Sequence, residues 1–80
     1  MNIEKMQFQG QLAEFKKKFK NLDTEASGLV ILIRSLLNPY EDDLTKLETE
    51  KALASVTRLN QILTEMKFIK TKIEKMEGEL

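Results

Sequence analysis

The sequence predicts an all-α fold, an antiparallel helical hairpin of two long helices that fold back at Asn38 and Pro39. Two apolar series at heptad spacing, with a single proline between them, are the observations that predict it. The composition agrees, because 32% of the residues are charged and only 3 glycines and 1 proline occur. We expect one domain over residues 1–80, with helices at about 3–37 and 40–77 and a turn at 38–39.

The first helix is predicted by apolar residues that are separated alternately by four and three positions, without a phase error. The series consists of Phe8, Leu12, Phe15, Phe19, Leu22, Ala26, Leu29, Ile33 and Leu36. Such residues form one stripe along a helix, which we call a seam. Polar residues at 21–24, followed by Gly28, leave open a break into helices at 3–20 and 24–37. The continuous phase favours one helix.

The turn is predicted by Pro39, the only proline in the chain. Its ring disfavours the helical conformation of the preceding residue, so the first helix should end just before it. Asn38 as N-cap, Pro39 as first helical residue and Glu41 as capping-box partner predict that the second helix begins near residue 40. A later start, capped by Asp42 or Asp43, remains the alternative.

The second helix is predicted by another apolar series of heptad spacing. Its members are Leu59, Ile62, Met66, Ile69, Ile73, Met76 and Leu80. Tyr40, Leu44 and Leu47 keep helical spacing upstream but lie out of phase with this series. We interpret the mismatch as a local register shift within one long helix.

The turn at residues 38–39 also predicts which seam residues face each other. The expected pairs are Phe8 with Ile69, Leu12 with Met66, Phe15 with Ile62, Phe19 with Leu59, Ala26 with Ala52, and Ile33 with Leu44. Every pair is apolar on both sides, which agrees with two arms of nearly equal length running in opposite directions.

Apolar residues outside the two seams predict an interface. An isolated hairpin would leave them in water, and an exposed apolar patch of that size usually marks a binding surface. The interface residues that we expect are Val30, Leu32, Leu37, Leu53, Leu63 and Phe68. A homodimer that forms a four-helix bundle is the first expectation, and a partner helix from another protein is the second. A monomeric hairpin or three-helix bundle is the alternative.

The residue types disfavour an enzyme and most cofactors. The chain has no histidine and no cysteine, so it cannot build an ordinary zinc site or a cysteine–histidine catalytic pair. Its three glycines are isolated, and no phosphate-binding loop is present. We therefore expect no catalytic residue, no cofactor-binding residue and no metal site. The expected function is a small helical protein-interaction or oligomerisation module.

One basic cluster supports an alternative function, a nucleic-acid-binding helical dimer. Four lysines within five residues, together with one arginine of the second helix, would contact phosphates. These residues are Lys16, Lys17, Lys18, Lys20 and Arg58. The 13 basic and 13 acidic side chains cancel, whereas nucleic-acid-binding domains are usually strongly basic. Nucleic-acid binding is therefore the second choice.

The start of the chain does not resemble a signal peptide, because an acidic residue comes early and no apolar run follows. The longest apolar run, residues 29–33, is too short to cross a membrane. We expect a cytoplasmic protein without membrane contact, and secretion without a cleaved signal stays open.

Overall fold

The structure, a computed structural model, describes residues 3–79. It contains two α-helices, α1 at Ile3–Leu36 and α2 at Thr49–Gly78, joined by an irregular connection with one short 3₁₀ helix at Leu44–Lys46. No strand occurs in this part of the chain. The two helices pack against each other in opposite directions, which confirms the predicted all-α helical hairpin.

Helix α1 is continuous, as the unbroken heptad phase predicted. Residues 21–24 lie inside it, and Leu12, Ala26 and Leu36 of its seam are buried. The hydroxyl of Thr24 donates a hydrogen bond of 3.1 Å to the carbonyl of Lys20. Because this side chain bonds back into the same helix, it does not cap a new one.

The connection is longer than expected, and α2 begins at Thr49 rather than near residue 40. Asn38 accepts a hydrogen bond from the Tyr40 amide at 3.0 Å, and its carbonyl accepts one from the Glu41 amide at 3.3 Å. The Glu41 carboxylate accepts from the Asp43 amide at 3.2 Å. These bonds hold residues 38–43 in turns, because they satisfy backbone groups that a helix would otherwise pair.

Asp43 caps a helix, but only the short one at Leu44–Lys46. Its carboxylate accepts from the Thr45 amide at 3.1 Å and from the Thr45 hydroxyl at 2.6 Å. Leu47 then turns to an extended conformation, which ends the 3₁₀ helix before α2 starts. Tyr40 and Leu44 therefore lie in the connection, with exposed fractions of 89% and 69%.

The seam of α2 runs without the expected register shift. Ala52 is buried, Ser55 is half-buried and Leu59 continues the alternation of three and four positions. Ser55 thus occupies the seam position, and Leu53 and Val56 beside it are exposed. A serine fits there because its hydroxyl donates to the Lys51 carbonyl at 2.9 Å, which leaves no unpaired polar group.

The core lies where the two seams meet in mid-hairpin. Ile62 is its most buried member, with 1% of its surface exposed. The cluster combines Ala26, Ile62 and Met66 with the partly buried Phe19, Leu22, Leu29 and Leu59. Ala26 thus shares this cluster with Ile62 and Met66 instead of facing Ala52, and the exposed Leu44 does not face Ile33. The longer connection displaces α2 along α1, so the expected pairs are wrong. Leu80, the last residue of the predicted series, lies outside the described residues.

The hairpin is a thin rod of 66 × 16 × 14 Å, only one pair of helices across. Neither α1 nor α2, over the residues described, has a stretch that is both long and apolar enough to span a membrane.

Candidate functional site

Ion pairs between the helices show which residues share a side of the hairpin. The seven positions of each heptad are lettered a to g, and the seam residues occupy positions a and d. Position a is occupied by Leu12 and Ala26 in α1 and by Leu59 and Met66 in α2. Residues at e and g then flank the seam on opposite sides. Lys18 bonds Glu65 at 2.8 Å and Arg58 bonds Glu25 at 3.0 Å, and all four are g residues. Lys16 bonds Glu77 at 2.8 Å, and both are e residues. The hairpin therefore has an e face and a g face, each formed by both helices.

The g face is occupied by charge pairs. The Arg58 guanidinium donates through Nε and Nη2 to Oε1 of Glu25, at 3.2 and 3.0 Å, and Nη2 also approaches Oε2 at 3.3 Å. The side chains of Lys18 and Glu65 are about half exposed, like those of Arg58 and Glu25. Each pair should contribute about 0.2–1 kcal/mol, because solvent screens exposed ion pairs. This face is polar along much of its length.

The e face is apolar in the half nearest the connection. Five side chains with exposed fractions of 38–68% lie there. They are Val30 and Leu37 from the first arm, and Leu53, Val56 and Leu63 from α2. We call this set the apolar patch. All are e residues except Leu53, which is at the adjacent b position. Towards the chain ends the same face becomes charged, with the Lys16–Glu77 pair.

The six expected interface residues are all exposed, but they do not form one surface. Val30, Leu37, Leu53 and Leu63 belong to the apolar patch. Leu32 is a g residue and lies on the other face of the hairpin. Phe68 is a c residue on the outer side of α2, where Lys72 Nζ lies 5.7 Å from the ring centroid. Their role in an interface stays a prediction.

Two of the exposed apolar side chains that sequence reasoning did not assign to an interface, Val56 and Tyr40, lie in or beside the patch. Val56 joins the patch only because Ser55 takes the seam position, which the alternation of spacings back from Leu59 could have revealed. Tyr40 lines a shallow open groove at the connection end, together with Ile31, Leu37 and Pro39. A large aromatic residue directly after the proline was the available signal.

The five expected nucleic-acid contacts are not gathered into one free basic surface. Lys16, Lys18 and Arg58 each bond a carboxylate of the other helix. Lys17 lies at an outer f position and Lys20 at b, and neither has an ion pair with a described residue. The pairing lowers the positive charge that this region presents.

The acidic residues of the connection act on the local backbone. The Thr45 hydroxyl and then the Thr45 amide, both bonded to the Asp43 carboxylate, hold the pKa of Asp43 below its ordinary value. The described chain contains no group of three acidic side chains placed to hold a metal ion. Asp43 and Glu41 thus stabilise turns.

Comparison with known proteins adds no relative. No protein-family model matches the chain, no curated protein matches it, and no solved structure matches it. Its function must therefore be argued from the hairpin itself.

Proposed function

We propose that this chain is a small helical protein-interaction module that self-associates, with a homodimer as its first form, and that it has no enzymatic activity. The observation that carries the proposal is the apolar patch on the e face. It places five exposed apolar side chains from both helices on one side of the rod. An exposed apolar patch rimmed by charges is typical of a protein-binding surface.

The surface area of the hairpin supports association. The chain exposes 6574 Å², whereas a compact monomer of its mass exposes about 5,000 Å². The excess of about 1,600 Å² exceeds the roughly 800 Å² that each partner loses in a standard protein interface. A second hairpin on the e face would remove much of this excess.

The thin core supports the same proposal. The described chain buries eight apolar residues and no polar or charged one, and two of the eight are alanines. A single core of this size supplies a few kcal/mol, and small folds without disulfides or metals often gain stability from a partner. If two hairpins packed as a four-helix bundle, each hairpin would bury apolar surface against the other in addition to its own core.

The test is the oligomeric state of the wild-type chain and of a patch variant, measured by sedimentation equilibrium at micromolar concentration. We expect the wild type to dimerise. Leu37→Glu with Leu63→Glu should weaken the dimer by at least about tenfold, because two charges would be buried without partners. Circular dichroism should show that the variant keeps its helices.

Ile3→Glu with Ile31→Glu is the matched control, since it places two charges on exposed apolar side chains at outer f positions of α1, away from the patch. This control should dimerise like the wild type. A folded wild-type chain that stays monomeric at 100 micromolar, about the concentration at which weak interfaces form, would contradict the proposal.

Nucleic-acid binding through Lys16, Lys17, Lys18, Lys20 and Arg58 is the second candidate. Lys17 and Lys20, which have no ion pair with a residue at 3–79, favour it, and the three paired cations weigh against it. If it holds, affinity for RNA or DNA should fall steeply as salt rises, because bound counterions are released. No binding at low salt would remove this candidate.

A further inference from the structure

We propose that two copies of the hairpin dock e face to e face in opposite directions and staggered, so that the acidic connection end of each lies on the central lysines of the other. This inference rests on the proposed self-association and specifies its geometry. It is carried by the distribution of charges on either side of the apolar patch.

The acidic end lies on one side of the patch. Five carboxylates occur between residues 41 and 50, against two lysines in and just after the connection. The carboxylates belong to Glu41, Asp42, Asp43, Glu48 and Glu50. The connection end of the rod is therefore net negative, and all five of these residues except Glu41 are exposed.

A lysine cluster lies on the other side of the patch and on the same face. Lys20 and Lys67 are b residues and Lys70 is an e residue, all three exposed and at one level of the antiparallel hairpin. None of them has an ion pair with a described residue. Val30, near the centre of the patch, lies about 9 Å of helix before the end of α1 at Leu36 and about 15 Å after Lys20. The connection continues beyond the end of α1, so the acidic end and the lysine cluster lie on opposite sides of the patch centre at comparable distances.

A two-fold axis through the patch centre, perpendicular to the rod, would bury the apolar patch of both copies. It would also pair the two charged regions with each other. It places the patch of one copy against the same patch of the other, as a symmetric interface requires. It also brings the acidic end of each copy over the lysine cluster of the other, twice per dimer. The remaining charged e-face residues between these regions, Asp23 and Arg34, have opposite signs and lie on opposite sides of the patch centre. The same rotation brings Arg34 towards the partner copy's Asp23.

Docking in the same direction would have the opposite electrostatics. It would place the two acidic ends side by side and the two lysine clusters side by side, and like charges in contact are unfavourable. Each copy extends from Val30 back to Ile3, about 40 Å of helix, on the far side of the axis, so the two rods overlap over about 50 Å. The dimer should therefore measure about 80 Å, against 66 Å for two rods in full overlap.

The first test is small-angle X-ray scattering on the wild-type dimer, with its longest dimension as the readout. A value near 80 Å supports the stagger, and a dimer as long as one hairpin, 66 Å, overturns it. The second test compares dimer affinity among charge-reversed chains by sedimentation equilibrium at low salt. The lysine-reversed chain carries Lys20→Glu, Lys67→Glu and Lys70→Glu. The acid-reversed chain carries Asp42→Lys, Glu48→Lys and Glu50→Lys.

Each reversed chain should dimerise at least about tenfold more weakly than the wild type, because attraction becomes repulsion at both contacts. A chain that carries all six changes should recover to within about threefold, since the contacts are again of opposite sign. Docking in the same direction predicts something different. Reversing one region there exchanges one like-charge contact for another and leaves the affinity unchanged.

The matched control carries Lys17→Glu, Lys72→Glu and Lys75→Glu, the same change of charge away from the e face. It should dimerise like the wild type. Circular dichroism establishes that every variant is helical. A monomeric wild type overturns both this geometry and the proposed function. If neither charge reversal weakens the dimer, the geometry alone is overturned. It is also overturned if the chain that carries all six changes does not recover the wild-type dimer affinity.

Discussion

At the scale of single residues, the connection is shaped by side chains that bond the backbone two positions further along. Asn38 accepts from the Tyr40 amide, Glu41 from the Asp43 amide, and Asp43 from the Thr45 amide. Each bond is short-range and exposed, and it holds a turn rather than a helix. Three repeated bonds of this kind explain why the chain after the proline does not become helical at once.

The bond between Asp43 and the Thr45 hydroxyl can be tested by titration. Thr45→Val removes the hydroxyl, and the pKa of Asp43 should rise towards its ordinary value without reaching it, since the Thr45 amide still donates. Because the pKa is lowered in the folded chain, this bond stabilises the connection above the ordinary aspartate pKa and is lost as pH falls through the lowered value. A pH titration of the Asp43 carboxyl by nuclear magnetic resonance measures the change.

Thr57→Val is the control for this titration, because the Thr57 hydroxyl donates to the Leu53 carbonyl within α2, away from Asp43. It should leave the pKa of Asp43 in place. If the pKa of Asp43 is also unchanged in Thr45→Val, the bond from the Thr45 hydroxyl does not lower that pKa.

At the scale of the helices, the continuous course of α1 was predictable and the start of α2 was not. The heptad phase passes through residues 21–28 undisturbed, and periodicity over so many residues outweighs weak local capping signals. Asn38, Pro39 and Glu41 have no such periodic context. The same side-chain bonds that cap a helix also stabilise a turn, so those residue types alone do not distinguish the two.

The pairing of the helices was not predictable from their apolar residues. Both seams are apolar at nearly every a and d position, so sliding one helix past the other still places apolar residues opposite apolar residues. The charge pairs Lys18–Glu65 and Glu25–Arg58 distinguish the observed pairing, and they follow only once the length of the connection is known.

The candidate site was predictable in part for the same reason. Val30, Leu37, Leu53 and Leu63 could be identified as apolar residues outside the seams, and all are exposed on one face. Whether a residue such as Leu32 lies on the e face or the g face depends on the heptad letter of both helices and on their pairing.

Buried seam residues and exposed apolar residues should contribute very differently to the free energy of unfolding. Ile62→Ala should lower the free energy of unfolding by about 2–5 kcal/mol, because a fully buried side chain leaves a cavity. Ile31→Ala, at a side chain that is 69% exposed, should change it by less than about 0.5 kcal/mol. Urea unfolding followed by circular dichroism measures both. Equal effects of the two substitutions would contradict the packing of the hairpin.

At the scale of the whole molecule, the hairpin is far from compact. Its radius of gyration is 18.4 Å, against about 12 Å for a compact domain of this length. A rod one pair of helices across has no second layer, so each helix is covered on one side only. Association along the rod is the way for such a shape to bury more surface.

Coupled folding and association predicts that thermal stability depends on concentration. The midpoint of wild-type unfolding should rise over a hundredfold increase in chain concentration, because the proposed dimer would form only from folded chains. Circular dichroism melts at several concentrations measure this rise. The Leu37→Glu, Leu63→Glu chain should show a midpoint that barely moves, and a wild-type midpoint independent of concentration would indicate that folding does not need a second copy.

The end of the rod opposite the connection has a separate consequence for how the hairpin opens. There the first turns of α1 and the last turns of α2 lie side by side with no covalent link, and Phe8 and Phe15 are only half-buried. The connection keeps the other end of the two helices together, whereas no such short connection joins Ile3 to Gly78 at this end. Amide hydrogens should therefore exchange with solvent fastest near the two termini and more slowly towards Ala26 and Ile62, as the helices part progressively from the free end.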